Sequence, residues 1–343
     1  MSLSTSEQKE ATPALPATKM KYLQLADYII SLIENNEIQI GDQIPSLKKL
    51  QQQLKMSKET LLKGLNELVE RGIIESVYRK GYFVRKQKIH HSFRVFLLLD
   101  KMNILREQFY RPLFNELGKK ADIDIYFHHH NYLVFEKLIK ENLGKYTHYV
   151  IATFLKEDVA PLLNLIPDKK RIIIDLNQQG LTGNYTCIYQ DYSYDIYHSL
   201  HKLKHELAKY SRLVLVAHQE SIHAQLVIEG FLHYCSETEF PYIIQSDIDE
   251  KNFQAGNAYV TFSRYDTDDV ALIKLARKKK FKLGQDIGLI SYNESDVKEI
   301  LENGITVIST DFEMMGKTVA KCIIEDKQVI KRNPTKVIKR LSL

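Results

Sequence analysis

The chain has 343 residues, 44% hydrophobic and 27% charged, a composition that suits two or three globular domains. Its longest apolar run is five residues, Val95–Leu99 and again Leu213–Ala217, where a membrane-spanning helix needs about 20. Three scattered cysteines (Cys187, Cys235, Cys322) with no CxxC pair argue against a disulfide framework or zinc ribbon. With a polar Met1–Lys21 that lacks the order of a secretory signal, they lead us to expect a cytoplasmic protein that does not enter a membrane. The net charge of +5 is unevenly spread. Ile44–Ser92 holds 11 Lys/Arg against 4 Asp/Glu, or +7, whereas Phe93 to the end holds 34 against 33, or +1. Such asymmetry is the footprint expected of a nucleic-acid binder, although a solubilising surface would give it too.

Residues 1–18 are rich in Ser, Thr, Ala, Pro and Glu without an apolar period, so a disordered N-terminus is expected there. From Tyr22 the period turns helical, with Leu25, Ile29, Leu32 and Ile33 on one face. Pro45-Ser46 then starts a short helix whose apolar face is Leu47, Leu50 and Leu54. Ser57 starts another, with Leu61, Leu65 and Leu68 inward and Gly72 as its C-cap. Ile73–Val84 reads as two short strands around Tyr78-Arg79-Lys80-Gly81. This order is a winged helix-turn-helix, expected over residues 19–84, followed by a basic linker at 85–92.

Beyond the linker the pattern becomes strand–helix alternation. Strands are expected at Arg94–Leu99, Asp122–Phe127, His148–Ala152, Arg171–Asp175, Leu213–Ala217, Tyr242–Gln245, Ala258–Phe262, Ile287–Ser291 and Ile305–Ser309. Alternation of this kind implies doubly wound parallel sheets covered on both faces. Residues 93–343 are too many for one such sheet and suit two lobes, giving an α/β body behind the winged helix.

Gly41–Val84 resembles the N-terminal domain of GntR-family transcription regulators. The resemblance is carried by Gly41-Asp42-Gln43-Ile44-Pro45-Ser46, Met56-Ser57-Lys58-Glu59-Thr60-Leu61 and Arg79-Lys80-Gly81-Tyr82-Phe83-Val84. Lys48 and Lys58 stand where that family usually has arginine, Gln51 where it has alanine, and Arg79 where it has the first wing glycine. In a helix-turn-helix the second helix enters the major groove with its N-terminal residues on base edges. Ser57, Lys58, Glu59 and Thr60 are therefore expected to face double-stranded operator DNA, Lys58 donating to guanine and Glu59 accepting from cytosine. Ser46 caps the preceding helix, whose N-terminus suits a phosphate, with Lys48 beside it. Lys63, Arg79 and Lys80 are expected as further backbone contacts.

The body resembles the periplasmic-binding-protein-like core of LacI/GalR-type regulators. Gly284-Gln285-Asp286-Ile287-Gly288-Leu289-Ile290-Ser291-Tyr292-Asn293 and Ile305–Gly316 match its motifs, and Pro334–Ser342 matches its closing segment. The resemblance implies a small-molecule effector between two lobes, a monosaccharide such as a pentose or deoxyhexose, and a homodimer reading a two-fold operator. By position it points to Asp175, Tyr189, His223, Gln225, Ser263 or Arg264, Asn293 and Thr310 as effector contacts. The segment Lys101–Tyr110 is expected to line the cleft as a loop, with Tyr110 as its aromatic residue.

Several patterns are weighed and set aside. His198, His201 and His205 share a helix face, but Ile196, Leu200, Leu203 and Leu207 form the opposite, buried stripe, so no metal is expected. His128-His129-His130 closes a strand and reads as an exposed turn, with a place lining the cleft as the alternative. Ser46-Leu47-Lys48-Lys49 fits SxxK without its partners, and Asn184-Tyr185-Thr186 is a glycosylation sequon. No GxGxxG or Walker loop occurs, so no cofactor and no catalytic residue are assigned. The alternatives left open are a non-sugar effector such as a purine, and an α/β enzyme tethered to DNA.

Overall fold

The computed structural model describes residues 21–70, 72–86, 93–218, 222–262 and 267–343. The expectation for residues 1–18, most of the linker, Ser263 and Arg264 lie outside the described residues. The N-terminal module is α1 (Lys21–Glu34), α2 (Leu47–Leu54), α3 (Lys58–Glu70), β1 (Ile74–Val77) and β2 (Gly81–Val84). Leu25, Ile29 and Ile33 of α1 bury fully against Leu50, Leu61, Leu65 and Leu68, so the inferred apolar faces form one core. The helices meet closely because Gly64 brings α3 to the backbone of α1, where a Cβ would lie 2.5 Å from the Tyr22 carbonyl oxygen. β1 and β2 pair antiparallel, Ile74 opposite Val84 and Val77 opposite Gly81.

The body continues as β3 (Phe93–Leu99), α4 (Ile104–Leu117), β4 (Ala121–Phe127), α5 (Tyr132–Asn142), β5 (His148–Ala152), α6 (Ala160–Leu163), β6 (Arg171–Asp175) and β7 (Thr186–Tyr189). There follow α7 (Tyr192–Lys202), α8 (Lys204–Leu207), β8 (Arg212–Ala217), α9 (Ile222–Thr238), β9 (Tyr242–Gln245), β10 (Asn257–Phe262) and α10 (Thr267–Lys279). The chain ends with β11 (Gly288–Tyr292), α11 (Asp296–Ile300), β12 (Thr306–Thr310), α12 (Phe312–Ile324), β13 (Ile330–Arg332) and β14 (Thr335–Ile338). Two six-stranded sheets result, β13-β7-β6-β5-β3-β4 in the first lobe and β14-β12-β11-β10-β8-β9 in the second. The chain crosses between them at Gln190–Asp191, at Asp311 and at Asn333–Pro334.

The sequence reading anticipates nine of these body strands to within about a residue at each end. It misses β7, β13 and β14, short strands whose places are set by pairing with partners distant in sequence. It also takes Lys101–Tyr110 for a loop, whereas α4 begins at Ile104, its N-terminus capped by the Asn103 side chain accepting from the Arg106 amide at 2.9 Å. The five-residue apolar run of β8 is explained by double coverage. Leu213, Leu215 and Ala217 pack toward α7 and α9, while Val214 and Val216 pack toward α10. Gly230 permits the α7–α9 contact, since a Cβ there would lie 2.1 Å from the Ser193 carbonyl oxygen.

The crossovers are stitched to one another. The Asn333 amide donates to the Tyr189 carbonyl at 2.7 Å, the Asp311 amide to the Pro334 carbonyl at 3.0 Å, and Arg332 pairs with Asp195 of α7 at 2.7 Å. The Asp195 side chain is only 1% exposed, and burial raises its carboxyl to about 6 despite the charge of Arg332.

Two outcomes follow from this packing. Gly230→Ala is expected to lower unfolding free energy by about 1–3 kcal/mol in urea titrations. For Asp195, a folded-state pKa above the unfolded one means that its stabilising contribution is present below about pH 4 and lost as pH rises through about 6. Relative to Asp195→Asn, the wild type should therefore lose up to about 3 kcal/mol between pH 4 and pH 7, whatever the buried histidines do.

Candidate functional site

Two sets of residues carry candidate chemistry. In the first, the Ser46 hydroxyl accepts from the Lys49 amide at 3.3 Å, capping α2, and Lys48 is exposed beside it. The Ser57 hydroxyl accepts from the Thr60 amide at 3.2 Å and shares a hydrogen bond with the Thr60 hydroxyl at 2.8 Å. Ser57 and Thr60 thus cap α3, which leaves Lys58 and Glu59 as the exposed, uncommitted front of that helix. Lys63 lies 4.6 Å from the centre of the Tyr22 ring on α1. At the wing, Arg79 sits at φ +59° with its guanidinium 5.1 Å from the Tyr78 ring, and Tyr78 is 82% exposed. The Gln43 side chain donates to the Lys80 carbonyl at 2.5 Å and braces the turn.

The second set collects at the carboxyl ends of the body strands. Asp100, after β3, and Asp175, ending β6, close on Arg106 of α4. Nε of Arg106 donates to Asp100 at 2.7 Å, and Nη1 lies 2.6 Å from Asp175. All three side chains are almost fully buried. The Gln190 side chain then donates to Asp175 at 2.8 Å and accepts from the Thr310 hydroxyl at 2.6 Å. A continuous polar relay therefore runs from the first lobe, through a crossover, to the end of β12 in the second. Asn293 follows β11 at φ +64°; its amide donates to the Ile308 carbonyl at 2.7 Å and its side-chain oxygen accepts from the Thr310 amide at 3.4 Å. Asp175 is also left-handed, at φ +75°. Strained non-glycine backbone of this kind costs about 1–3 kcal/mol and concentrates at functional sites.

Burial raises Asp175, offset in part by Arg106. Burial would raise Asp100 too, but the charge and hydrogen bond of Arg106, with His130, bring it below the ordinary carboxylate value. The two carboxylates in turn hold the guanidinium protonated against its own desolvation.

Rings complete the site. Phe154, after β5, lies 4.3 Å from His223 of α9 and 4.9 Å from the Arg106 guanidinium. His223 also meets Tyr192 at 5.0 Å, and Phe262 meets Tyr292 at 4.8 Å.

Of the effector contacts inferred from sequence, Asp175, Asn293 and Thr310 come together on the relay and His223 on the rings. Tyr189 is half-buried at the end of β7, where its carbonyl serves a crossover. Tyr110 is not on a loop. It is half-buried on α4, its ring 5.8 Å from Phe114 one turn on. Gln225 is exposed on α9. Of the histidine turn, His129 and His130 are exposed as expected and His128 is not. His128 is fully buried, which lowers its pKa to about 4, and His130 bonds the Phe154 carbonyl at 3.1 Å and lies 3.6 Å from Asp100. Asp100, Arg106, Phe154, Gln190, Tyr192, Phe262 and Tyr292, not singled out in the sequence, gather in the same place. Asp100 carries the same strand-end signal as Asp175, whereas Arg106 becomes legible only once α4 is known to begin before it.

His198, His201 and His205 do lie opposite a buried Ile196, Leu200, Leu203 and Leu207 stripe. Among the described residues, no group of three or more His, Cys, Asp or Glu is arranged to hold a metal ion, and no helix is long and apolar enough to cross a membrane.

Residues 21–84 match the family model described as "Bacterial regulatory proteins, gntR family". Over 69 residues, 20% of this chain, the sequence is 42% identical to the uncharacterized HTH-type transcriptional regulator YydK of Bacillus subtilis (strain 168). The chain spans between 15% and 59% of the length of the curated relatives it matches. The remainder is similar to solved structures of another kind. A lac repressor dimer bound to operator and the anti-inducer ONPF superposes with TM-score 0.61 at 13% identity, over 73% of this chain and 94% of that one. A LacI family transcriptional regulator from Enterococcus faecium with bound ribose gives TM-score 0.56 at 18% identity, over 73% and 98%. The chain therefore joins a gntR-type winged helix-turn-helix at residues 21–84 to a two-lobed body with the fold of LacI-type, periplasmic-binding-protein-like regulators.

Proposed function

We propose that this protein is a one-component transcription regulator and not an enzyme. Its winged helix binds operator DNA, and a small polar molecule held between the lobes of the body modulates that binding. The observation that carries the DNA half is the family match over residues 21–84 together with the exposure of Ser46, Lys48, Ser57, Lys58, Glu59, Lys63, Arg79 and Lys80 on that module. Lys58 and Glu59 read base edges in the major groove; Lys48, Lys63, Arg79 and Lys80 neutralise phosphates, Ser46 caps the α2 N-terminus that faces one, and Ser57 and Thr60 fix the helix end. The regulator works as a homodimer in the cytoplasm, because a two-fold protein matches a two-fold operator.

The effector half is supported by the relay. Carboxylates, a guanidinium, an amide and a hydroxyl at the strand ends are the groups that exchange hydrogen bonds with a sugar, the reading favoured by a neighbour solved with ribose. Asp175, Asn293, Thr310 and His223 are the sequence-derived contacts kept there, joined by Asp100, Arg106 and Gln190. Modulation requires that the effector bind one arrangement of the lobes more tightly than the other.

Electrophoretic mobility shifts on DNA from the chain's own promoter region test the first half. Lys58→Ala is expected to cost about 1–3 kcal/mol in binding and relax specificity at one base pair. Arg79→Ala should weaken binding to all sequences alike and reduce the salt slope by about one. Absence of DNA binding at low salt would overturn the reading. For the cleft, Arg106→Met strands two buried carboxylates and should cost about 3–5 kcal/mol in urea unfolding, partly recovered when Asp175→Asn is added.

A further inference from the structure

The helix assigned to base reading, α3, is gripped from behind. Lys58 and Glu59 stand at its exposed front, and Glu67 follows more than two turns later. At 3.6 residues per turn and 1.5 Å per residue, Glu67 lies on the flank opposite Lys58, about 13 Å along the axis. Nη1 of Arg94, at the start of β3, donates to the Glu67 carboxylate at 3.3 Å. The pair is partly buried, with side-chain exposures of 28% for Arg94 and 21% for Glu67. The Arg94 guanidinium also lies 5.6 Å from the centre of the ring of Tyr146, a buried residue between α5 and β5. Thr147 locks the backbone beneath it. Its hydroxyl accepts from the Arg94 amide and donates to the Arg94 carbonyl, each at 2.9 Å, and its own amide donates to that carbonyl at 2.9 Å. The start of β3 and residues 140–147 belong to one compact unit with the winged helix.

The chain between wing and β3 is short. The Arg85 and Lys86 amides both donate to the Ile73 carbonyl, at 2.9 and 3.2 Å, so the chain stays pinned just past the end of α3 as far as Lys86. β3 starts at Phe93, and the span from Lys86 covers about 25 Å at full stretch. An exposed ion pair between free partners holds little. On so short a tether, however, one partner is supplied to the other at high effective concentration. A partly buried pair whose cation rests on a ring then suffices to select one orientation of α3.

We propose that Glu67, Arg94 and Tyr146 form a clasp that fixes the angle at which α3 is presented, which makes them determinants of operator spacing. Glu67 lies away from the reading front, so the clasp acts through position and not by touching bases. In a two-fold dimer the separation and phasing of the two reading helices decide which half-site spacing is bound, since a turn of B-DNA takes about 10 base pairs. A module swinging on its tether accepts many spacings; a clasped one discriminates between them. This rests on the reading of the chain as a homodimeric DNA-binding regulator, and adds the element that chooses between operators built from the same half-sites.

The test is a set of mobility shifts with the full-length protein. Footprinting on DNA from the chain's own promoter region locates the half-sites. Duplexes are then built with the native spacing, with about half a helical turn inserted between the half-sites, and with one half-site destroyed. Wild type should bind the native spacing about ten-fold or more tightly than the half-turn insertion, which puts the half-sites on opposite faces of the duplex. Glu67→Gln and Arg94→Gln should each cut that ratio to about two-fold and leave single-half-site binding within about two-fold of wild type. The two changes act alike here although one removes a negative charge and the other a positive one. Combining Glu67→Arg with Arg94→Glu should restore the ratio. Spacing selectivity that both single variants retain, or single-half-site binding lost along with it, overturns the proposal and leaves the dimeric reading standing. A wild type that gains nothing from a second half-site overturns that reading and the proposal with it.

Discussion

The body depends on one buried charge. Arg106 lies between Asp100 and Asp175, with side-chain exposures of 5%, 8% and 0%. Taking three ionised groups out of water is expensive, and mutual attraction offsets that cost only when geometry is good and the remaining polar atoms are bonded. Here the second condition is met by Gln190 and Thr310, so the charge cluster is satisfied only while groups from both sheets and a crossover stay in place. Replacing such a buried cluster whole by well-packed hydrophobic residues is often neutral for stability, whereas removing one member leaves an uncompensated charge. The left-handed backbone at Asp175 is consistent with a site held in shape by its surroundings.

The topology makes this possible. Parallel sheets gather their carboxyl ends on one side, and three crossovers bring both sets of ends to the same place. The crossovers are tied by backbone bonds at Asp311 and Asn333 and by the Asp195–Arg332 pair, so relative motion of the lobes has to work through a few short segments. Such an arrangement suits a body with two states and a ligand that prefers one. In the winged helix, sequence solves a different problem. Ser46 and Ser57 spend their hydroxyls on capping, which leaves charged side chains to face the solvent at the helix starts.

Much of this was legible before any coordinates. The alternation of apolar runs and amphipathic helices makes nine body strands legible, the central ones because they bury residues on both faces, the edge strands β4 and β9 by their apolar content between helices. β7, Thr186–Tyr189, and β13, Ile330–Arg332, were invisible because their pairing is decided by distant partners and not by a period. Asp175, Asn293 and Thr310 meet on one hydrogen-bonded line because parallel strands gather their carboxyl ends together, whichever residue stands there. Arg106 escaped because its partners lie 6 residues back and on another strand altogether, and a misplaced helix start hid the face it presents. Tyr110 and Gln225 lie on α4 and α9, where a shift of one position turns a side chain by about 100°, so an offset along the chain does not fix which way either one faces.

The claim that the relay joins the two lobes is tested most directly by native-state hydrogen exchange on wild type and Gln190→Leu. Loss of the amide should speed exchange at Gln190, Asn293 and Thr310 together, by ten-fold or more, because the ends of β6, β11 and β12 share one network. Amides of α3 and the wing should keep their wild-type rates. Faster exchange confined to β7, with Asn293 and Thr310 as protected as before, would show that the two sets of strand ends are held independently and would contradict the account.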